Sequence, residues 1–333
     1  MIHYCILPHP GASQVFFDAS EPLSLAELQL TVKRMETRCE NVRAEDLEGL
    51  RLYCFDAEQT LSPDDLRRVC AVSSLYALFI REGAALRPLR PHRNAPFRED
   101  LSAILKYTGK TNALFTRLML HIAELSLSGA QTAPLRLLDP VAGKGTALFE
   151  ALMRGFNAYG IEIVAKAAHD AAVYFQKYLE TEKIKHKPHK EKLHGAPSWK
   201  YQFAADKETL RGAPSEWMMV AGDSKQADRF FGKNAFDIVA GDLPYGVVHG
   251  NIAGARPSRS PEALLRACLP AWRAVLRPGG VLALSWNTLV FDVEKMTTIL
   301  QENGFICLRD APYDAFAHRV DASIKRDIVV ARK

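Results

Sequence analysis

Apolar and polar positions along the chain follow two different rhythms. Over residues 1–86 the rhythm is mixed. "IHYCILP" and "QVFFDAS" read as strands, and "LRLYCFD" alternates as a third. "SLAELQLTVKRM" places apolar residues at helical spacing behind Ser24 and Glu27, a capping-box pair. Ser62-Pro63-Asp64-Asp65 predicts a second helix, with serine as N-cap and proline in the first turn. "LYALFIREG" closes a small α+β unit. Residues 87–97, "RPLRPHRNAPF", lose the pattern and read as a basic, proline-rich linker. Its arginines, Arg87, Arg90 and Arg93, with Arg98 just beyond, suit either phosphate contact or a solvated connector.

Residues 98–333 read as one larger domain. Two helical stretches come first, "EDLSAILKYTG" and "NALFTRLMLHIAELS". In the second, Leu114, Leu118, Ile122 and Leu125 recur at steps of three and four and define one buried face. From Leu135 onward, strand, glycine turn and helix repeat. "LRLLD", "AYGIEI", "WMMVAGD", "FDIVAGD" and "GGVLALSWN" are the strands. The helices include "AAHDAAVYFQKYLET" and "PEALLRACLPAWRAVL", the latter with Ser260 as N-cap and Pro261 in its first turn. This alternation predicts an α/β fold with a Rossmann-like, mostly parallel sheet. After the helix "VEKMTTILQEN", "FICLRDAPY" and "RDIVVARK" are separated only by a loop. A hairpin there sets the last strand antiparallel to the others.

Composition narrows the class without choosing a function. The 333 residues are 48% hydrophobic and 24% charged, enough for a full core. No apolar run reaches ~18 residues, so no membrane span is expected. The N-terminus lacks a basic segment ahead of its apolar residues, which favours a cytoplasmic protein over a secreted one. The six cysteines are scattered with no C-x-x-C and read as reduced thiols. A net charge of +5 is compatible with a polyanionic partner.

Ligands of open α/β sheets sit at the carboxyl ends of the strands, so the strand ends hold the candidate chemistry. The first predicted strand of the sheet ends in Asp139-Pro140-Val141-Ala142-Gly143-Lys144-Gly145-Thr146. Gly143 and Gly145 let backbone approach a ligand, and the helix that follows aims its free N–H groups there. The spacing fits neither a phosphate loop nor G-x-G-x-x-G. The next strand ends in Glu162 and Ile163. An acid about 20 residues past such a turn is placed to hold a ribose diol. Asp223 and Ser224 end the third, where an acid can accept from an adenine amino group. Asp242-Leu243-Pro244-Tyr245 ends the fourth. The acid can address an amine, the proline stiffens the turn, and the aromatic ring can stack on a base.

"DPVAGKGTALFEAL" and "DLPYG" together resemble the class I S-adenosylmethionine-dependent methyltransferases, in particular those that methylate exocyclic amines of nucleic-acid bases. The first looks like the methionine-binding loop D-P-x-x-G-x-G-T-x-x-x-E-A, and the second like the [D/N]-P-P-[Y/F] catalytic loop. The chain is most similar to the RNA methylase family that includes tRNA guanosine-N2 methyltransferases. "YTGKTN", with Thr111, resembles the segment before the first motif. The resemblance spans residues 95–333. It implies S-adenosyl-L-methionine as cofactor, held by Thr111, Asp139, Pro140, Ala142, Gly143, Gly145, Thr146, Glu162, Ile163, Asp223 and Ser224. It implies catalysis by Asp242, Pro244 and Tyr245, an RNA substrate, most closely tRNA, and no metal. Leu243 departs from the family's proline, and residues 1–86 are short for the tRNA-gripping domain of related enzymes. An N6-adenine methyltransferase on DNA or rRNA, and a catalytically idle RNA-binding relative, are the alternatives.

Two further stretches stand out. "KIKHKPHKEKLHGAPSWKYQ" carries six lysines, five of them between Lys183 and Lys192, and the histidines His186, His189 and His194. An RNA-contacting flap, a solvated insertion and a metal site are its three readings, with solvated insertion the bland one. His249, Arg256 and Arg259 follow the catalytic loop, where a substrate backbone could pass. Trp286 reads as core or pocket wall.

Overall fold

The computed structural model describes residues 1–10, 14–90, 97, 101–102, 112–129, 134–244 and 261–333. They form two compact units, residues 1–94 with 309–326 and residues 95–308 with 327–333.

The first unit is built on a five-stranded sheet in the order β2-β3-β1-β4-β5. Its strands are β1 (Ile2–Pro8), β2 (Cys39–Leu47), β3 (Leu50–Ala57), β4 (Leu75–Glu82) and β5 (Ala85–Leu89), and every pairing is antiparallel. Helices α1 (Gln14–Val32) and α2 (Pro63–Cys70) complete the unit. Strand alternation in β1 and β3 sends Tyr4, Ile6, Tyr53 and Phe55 into one core with Leu28, Val32 and Val69. Ser62 caps α2 as expected, its hydroxyl accepting from Asp65 N at 3.1 Å.

Three readings change here. "QVFFDAS" opens the 19-residue helix α1 and is not a strand. A short apolar run has no period of its own to tell helix from strand. Ser24 and Glu27 therefore fall inside α1, buried, and form no capping box. Glu27 accepts instead from Ser73 N at 2.9 Å and Ser73 Oγ at 2.6 Å. The linker expected from residue 87 begins inside β5, where Arg87 pairs with Ile80, and the unit runs on to Asn94.

The second unit holds the remaining strands. They are β6 (Arg136–Asp139), β7 (Asn157–Glu162), β8 (Lys185–Leu193), β9 (Ala196–Ala204), β10 (Ser215–Ala221), β11 (Phe236–Asp242), β12 (Leu276–Asn287), β13 (Ile306–Leu308) and β15 (Lys325–Arg332), whose first two residues, like the short β14 (His318–Arg319), belong to the 309–326 segment of the first unit. The helices are α3 (Ala113–Leu125), α4 (Thr146–Met153), α5 (Ala165–Thr181), α6 (Lys207–Gly212), α7 (Ala227–Phe231), α8 (Pro261–Val275) and α9 (Val293–Glu302). The sheet runs β13-β15-β12-β11-β6-β7-β10-β9-β8, with β14 paired to the start of β15. From β12 to β10 neighbouring strands are parallel. Their residues Leu138, Ile161, Val220, Val239 and Leu282 are buried, as fits strands covered by helices. The final strand is antiparallel to β13, as the terminal hairpin required. Pro278-Gly279-Gly280 lies within β12 as a bulge against β11. Among the described residues no helix is long and apolar enough to cross a membrane.

The basic insertion is an ordered hairpin that extends the sheet. β9 pairs antiparallel with β10, and β8 with β9. Trp199, Tyr201 and Phe203 turn to the face where α5 lies. Tyr201 packs on Phe175 and donates to Gln176 Oε1 at 3.1 Å. His194 and Gly195, at φ +49° and +89°, make the two-residue turn. Apolar alternation in β9 supports the pair, while β8 has none, so its own pattern does not announce a strand. His186 and His189 point to opposite faces and cannot share a ligand.

Candidate active site

The order of the parallel strands locates a crevice. From β6 the chain proceeds outward through β7 to β10, then returns to place β11 and β12 on the other side of β6. Beyond the carboxyl ends of β6 and β11 the connections diverge, which is where open α/β sheets bind ligands. β6 ends in Asp139 and β11 in Asp242.

The turn after β6 is tied down by backbone. Ala142 N donates to Ile161 O at 3.0 Å, and Gly145 N to Ala142 O at 2.7 Å. Gly143 and Gly145 take φ of +54° and +86°, a region that L side chains rarely adopt. A Cβ on Gly143 would meet nothing within 4 Å among the described residues, so the turn is open on the side a ligand would occupy. A Cβ on Gly160 would lie 2.9 Å from Ala142 Cβ and 2.8 Å from Leu148 Cδ1. Glycine there lets the turn and α4 settle onto β7. Pro140, Ala142 and Thr146 are buried in this wall.

Three carboxylates converge on the crevice. Asp139 is buried, and burial pushes its carboxyl up to about 7 against the pull of the Val141 amide. The charges of Glu162 and Asp242 push in the same direction as burial. Val141 N donates to Asp139 Oδ1 at 3.0 Å. Glu162 Oε2 accepts from Gly143 N at 2.8 Å and Oε1 from Val164 N at 2.7 Å, so this acid braces the glycine turn. Its neighbour Ile163 is 68% exposed, an apolar surface beside an acid at a strand tip. A site of this kind favours a ligand with positive charge and a flat apolar part.

Asp242 is held from β12. Ser285 stands opposite it in register and donates its hydroxyl to Asp242 Oδ1. Leu243 then explains the departure from proline. Its amide donates to Ser285 O at 2.8 Å, a bond proline cannot make, and its side chain is buried in the core. Gly241 is required just before it, because a Cβ would sit 2.9 Å from Val141 Cγ2 and 3.2 Å from Asp139 Oδ1. Pro244 follows, exposed.

The other expected residues divide. Asp223 caps a short 3-10 turn, accepting from Lys225 N at 3.0 Å and pairing with Lys225 Nζ at 3.2 Å. Ser224 is buried and its hydroxyl accepts from Trp272 Nε1 at 2.8 Å, so its side chain supports the core below the site. Trp286 is core, donating to Phe291 O at 2.6 Å. Thr111, Tyr245, His249, Arg256 and Arg259 lie outside the described residues. Ser285 was missed by the sequence reading. The available signal was a hydroxyl inside the apolar run "VLALSW", where only a partnered serine is comfortable.

No protein-family model matches the chain, and no curated protein matches it. Among solved structures, it resembles TrmN from Thermus thermophilus at 14% identity over 100% of both chains, with a TM-score of 0.48. It also resembles the T. thermophilus 16S rRNA N2 methyltransferase RsmC, solved with AdoMet and guanosine. There the identity is 17%, with 89% of this chain and 58% of that one covered and a TM-score of 0.38. A TehB-like SAM-dependent methyltransferase from Corynebacterium glutamicum is 12% identical, with 61% and 82% covered and a TM-score of 0.35. Likenesses of this size assign neither family nor substrate, so function rests on the site.

Proposed function

We propose that this protein is an S-adenosylmethionine-dependent methyltransferase that modifies an exocyclic base amine of RNA, guanosine N2 in tRNA being the specific reading. One observation carries it: Asp139, Glu162 and Asp242 meet at the strand-order reversal, beside a glycine turn open to a ligand. The motif resemblance supports the same assignment, and the names of TrmN and RsmC accord with it.

S-adenosylmethionine supplies an electrophilic methyl group on a sulfonium. Its positive charge suits the acidic crevice. In this reading Gly143 and Gly145 cradle its amino-acid part, Glu162 holds the ribose, and Ile163 and Asp223 flank the adenine. The target amine is a weak nucleophile, because its lone pair is delocalised into the ring. Asp242, fixed by Ser285, accepts hydrogen bonds from that amine and stabilises the positive charge developing on nitrogen. Tyr245, three residues on, is assigned the stacking role, and the base must leave its own stack to reach the pocket.

The test is direct. Calorimetry with S-adenosylmethionine measures cofactor binding. Incubation with unmodified tRNA, followed by nucleoside mass spectrometry, should yield N2-methylguanosine. N6-methyladenosine instead would move the target amine. Cofactor binding without any methylated nucleoside across tRNA and rRNA would leave an idle relative.

A further inference from the structure

The hairpin β8–β9 lies at the outer edge of the sheet, on the side of β10, and the catalytic reading does not use it. β8 carries Lys185, Lys187, Lys190 and Lys192 with His186 and His189, against one acid, Glu191. All four lysines are exposed and, among the described residues, none has a carboxylate partner. The register distributes them around the strand. Lys185 and Lys187 share a face with Gln202 and Lys200, while Lys190 and Lys192 share the other with Trp199 and Pro197. At ~3.3 Å per residue, nine residues make an edge about 30 Å long, enough to meet several phosphates in a row. Direction matters as well. β9 is antiparallel to β10, with Ser198 opposite Val220, so the His194-Gly195 turn lies at the same end of the sheet as Asp223. A Cβ on Gly222 would come within 3.7 Å of Ala196 Cβ, which puts the hairpin tip against the end of β10.

We infer that the β8 edge is an RNA-binding rail whose lysines engage the phosphate backbone and lead the strand toward the carboxyl end of the sheet. This inference rests on the RNA reading of the active site. A competing role exists for lysine and proline on an edge strand, which is to stop the free edge from pairing with other chains. That role needs charge of either sign. Phosphate binding needs positive charge.

Two variants separate the roles: Lys185, Lys187, Lys190 and Lys192 all changed to Gln, and the same four changed to Glu. Affinity for total tRNA is measured across a salt series, with S-adenosylmethionine affinity and size-exclusion behaviour as controls. Each phosphate contact contributes about 0.7–0.9 to the slope of log affinity against log salt. The Gln variant should lose roughly 3 from that slope and bind at least tenfold more weakly at low salt, by the same relation. The Glu variant should bind more weakly still, with cofactor affinity unchanged in both. If the Gln variant aggregates, the Glu variant carries the test. Wild-type slope and affinity in a folded Glu variant overturn the rail while leaving the methyltransferase reading intact, provided the wild type methylates tRNA. A wild type that takes up cofactor but neither binds nor methylates RNA overturns both.

Discussion

Two strands of this protein run out through the same four residues, Val-Ala-Gly-Asp, at 220–223 and at 239–242. Their fates differ because their neighbours differ. β11 runs between β6 and β12, so Asp242 emerges beside buried Asp139 and takes a hydrogen bond from Ser285. β10 runs between β7 and the hairpin, so Asp223 turns into a 3-10 cap and pairs with Lys225. The glycines differ in the same way. Gly222 makes room for Phe230, a core ring, whereas Gly241 makes room for Val141 and Asp139, the wall of the crevice. One acid is neutralised by its local partner. The other belongs to a group of carboxylates that suits a cationic ligand.

The largest expected effect exploits that contrast. Asp242→Ala should lower single-turnover methyl transfer by ~10²–10³-fold, the usual loss for one transition-state group, with S-adenosylmethionine affinity nearly unchanged. Asp242→Asn keeps an acceptor and should fall between alanine and wild type. Asp223→Ala should weaken cofactor binding and leave saturated turnover intact. Equal turnover losses for the two alanine variants would erase the distinction between the strand ends.

Glu162 serves both the turn and the proposed ribose contact. Glu162→Ala should weaken cofactor binding by ~1.5–3 kcal/mol, the range for hydrogen bonds to a charged group. An unchanged calorimetric Kd in the folded variant would remove it from the site.

The two serine hydroxyls give a smaller, cleaner comparison. Ser285→Ala removes the hydroxyl that donates to Asp242 and should cost about tenfold in turnover, ~1.4 kcal/mol. Ser224→Ala removes the acceptor of Trp272 and should lower stability while sparing turnover at saturating cofactor. A Ser285→Ala enzyme with wild-type turnover would show that Asp242 needs no such support.

The smallest effect is a pH dependence. Asp139 is raised from its ordinary value to about 7 in the fold, chiefly by burial. The folded chain therefore binds a proton there that the unfolded chain releases near pH 4. Stability from this group is complete below pH 4 and is lost as pH rises to about 7. Without ligand, wild type should lose thermal stability relative to Asp139→Asn across that window, by about 2–4 °C per kcal/mol. Parallel stability curves for the two proteins would contradict the burial of a titrating Asp139.

Much of this molecule was legible before its coordinates. Apolar runs capped by acids identified β6, β7, β10 and β11, since a strand buried on both faces has to be apolar until it reaches solvent. The glycines of the turn after β6 and the serine cap of α2 were readable too, because backbone conformation there depends on one or two residues. Tertiary structure decided the rest. It made "QVFFDAS" the first turns of a 19-residue helix, a choice that a short apolar run does not itself encode. It held the lysine-rich β8 in a strand, because β9 offered a ladder of backbone partners that no side-chain pattern encodes. It joined Ser285 to Asp242, 43 residues apart in the chain, through the parallel register of β11 and β12. Local sequence sets what a segment can become, and long-range pairing chooses among those outcomes, because the hydrogen bonds and burial that decide them are shared with residues far along the chain.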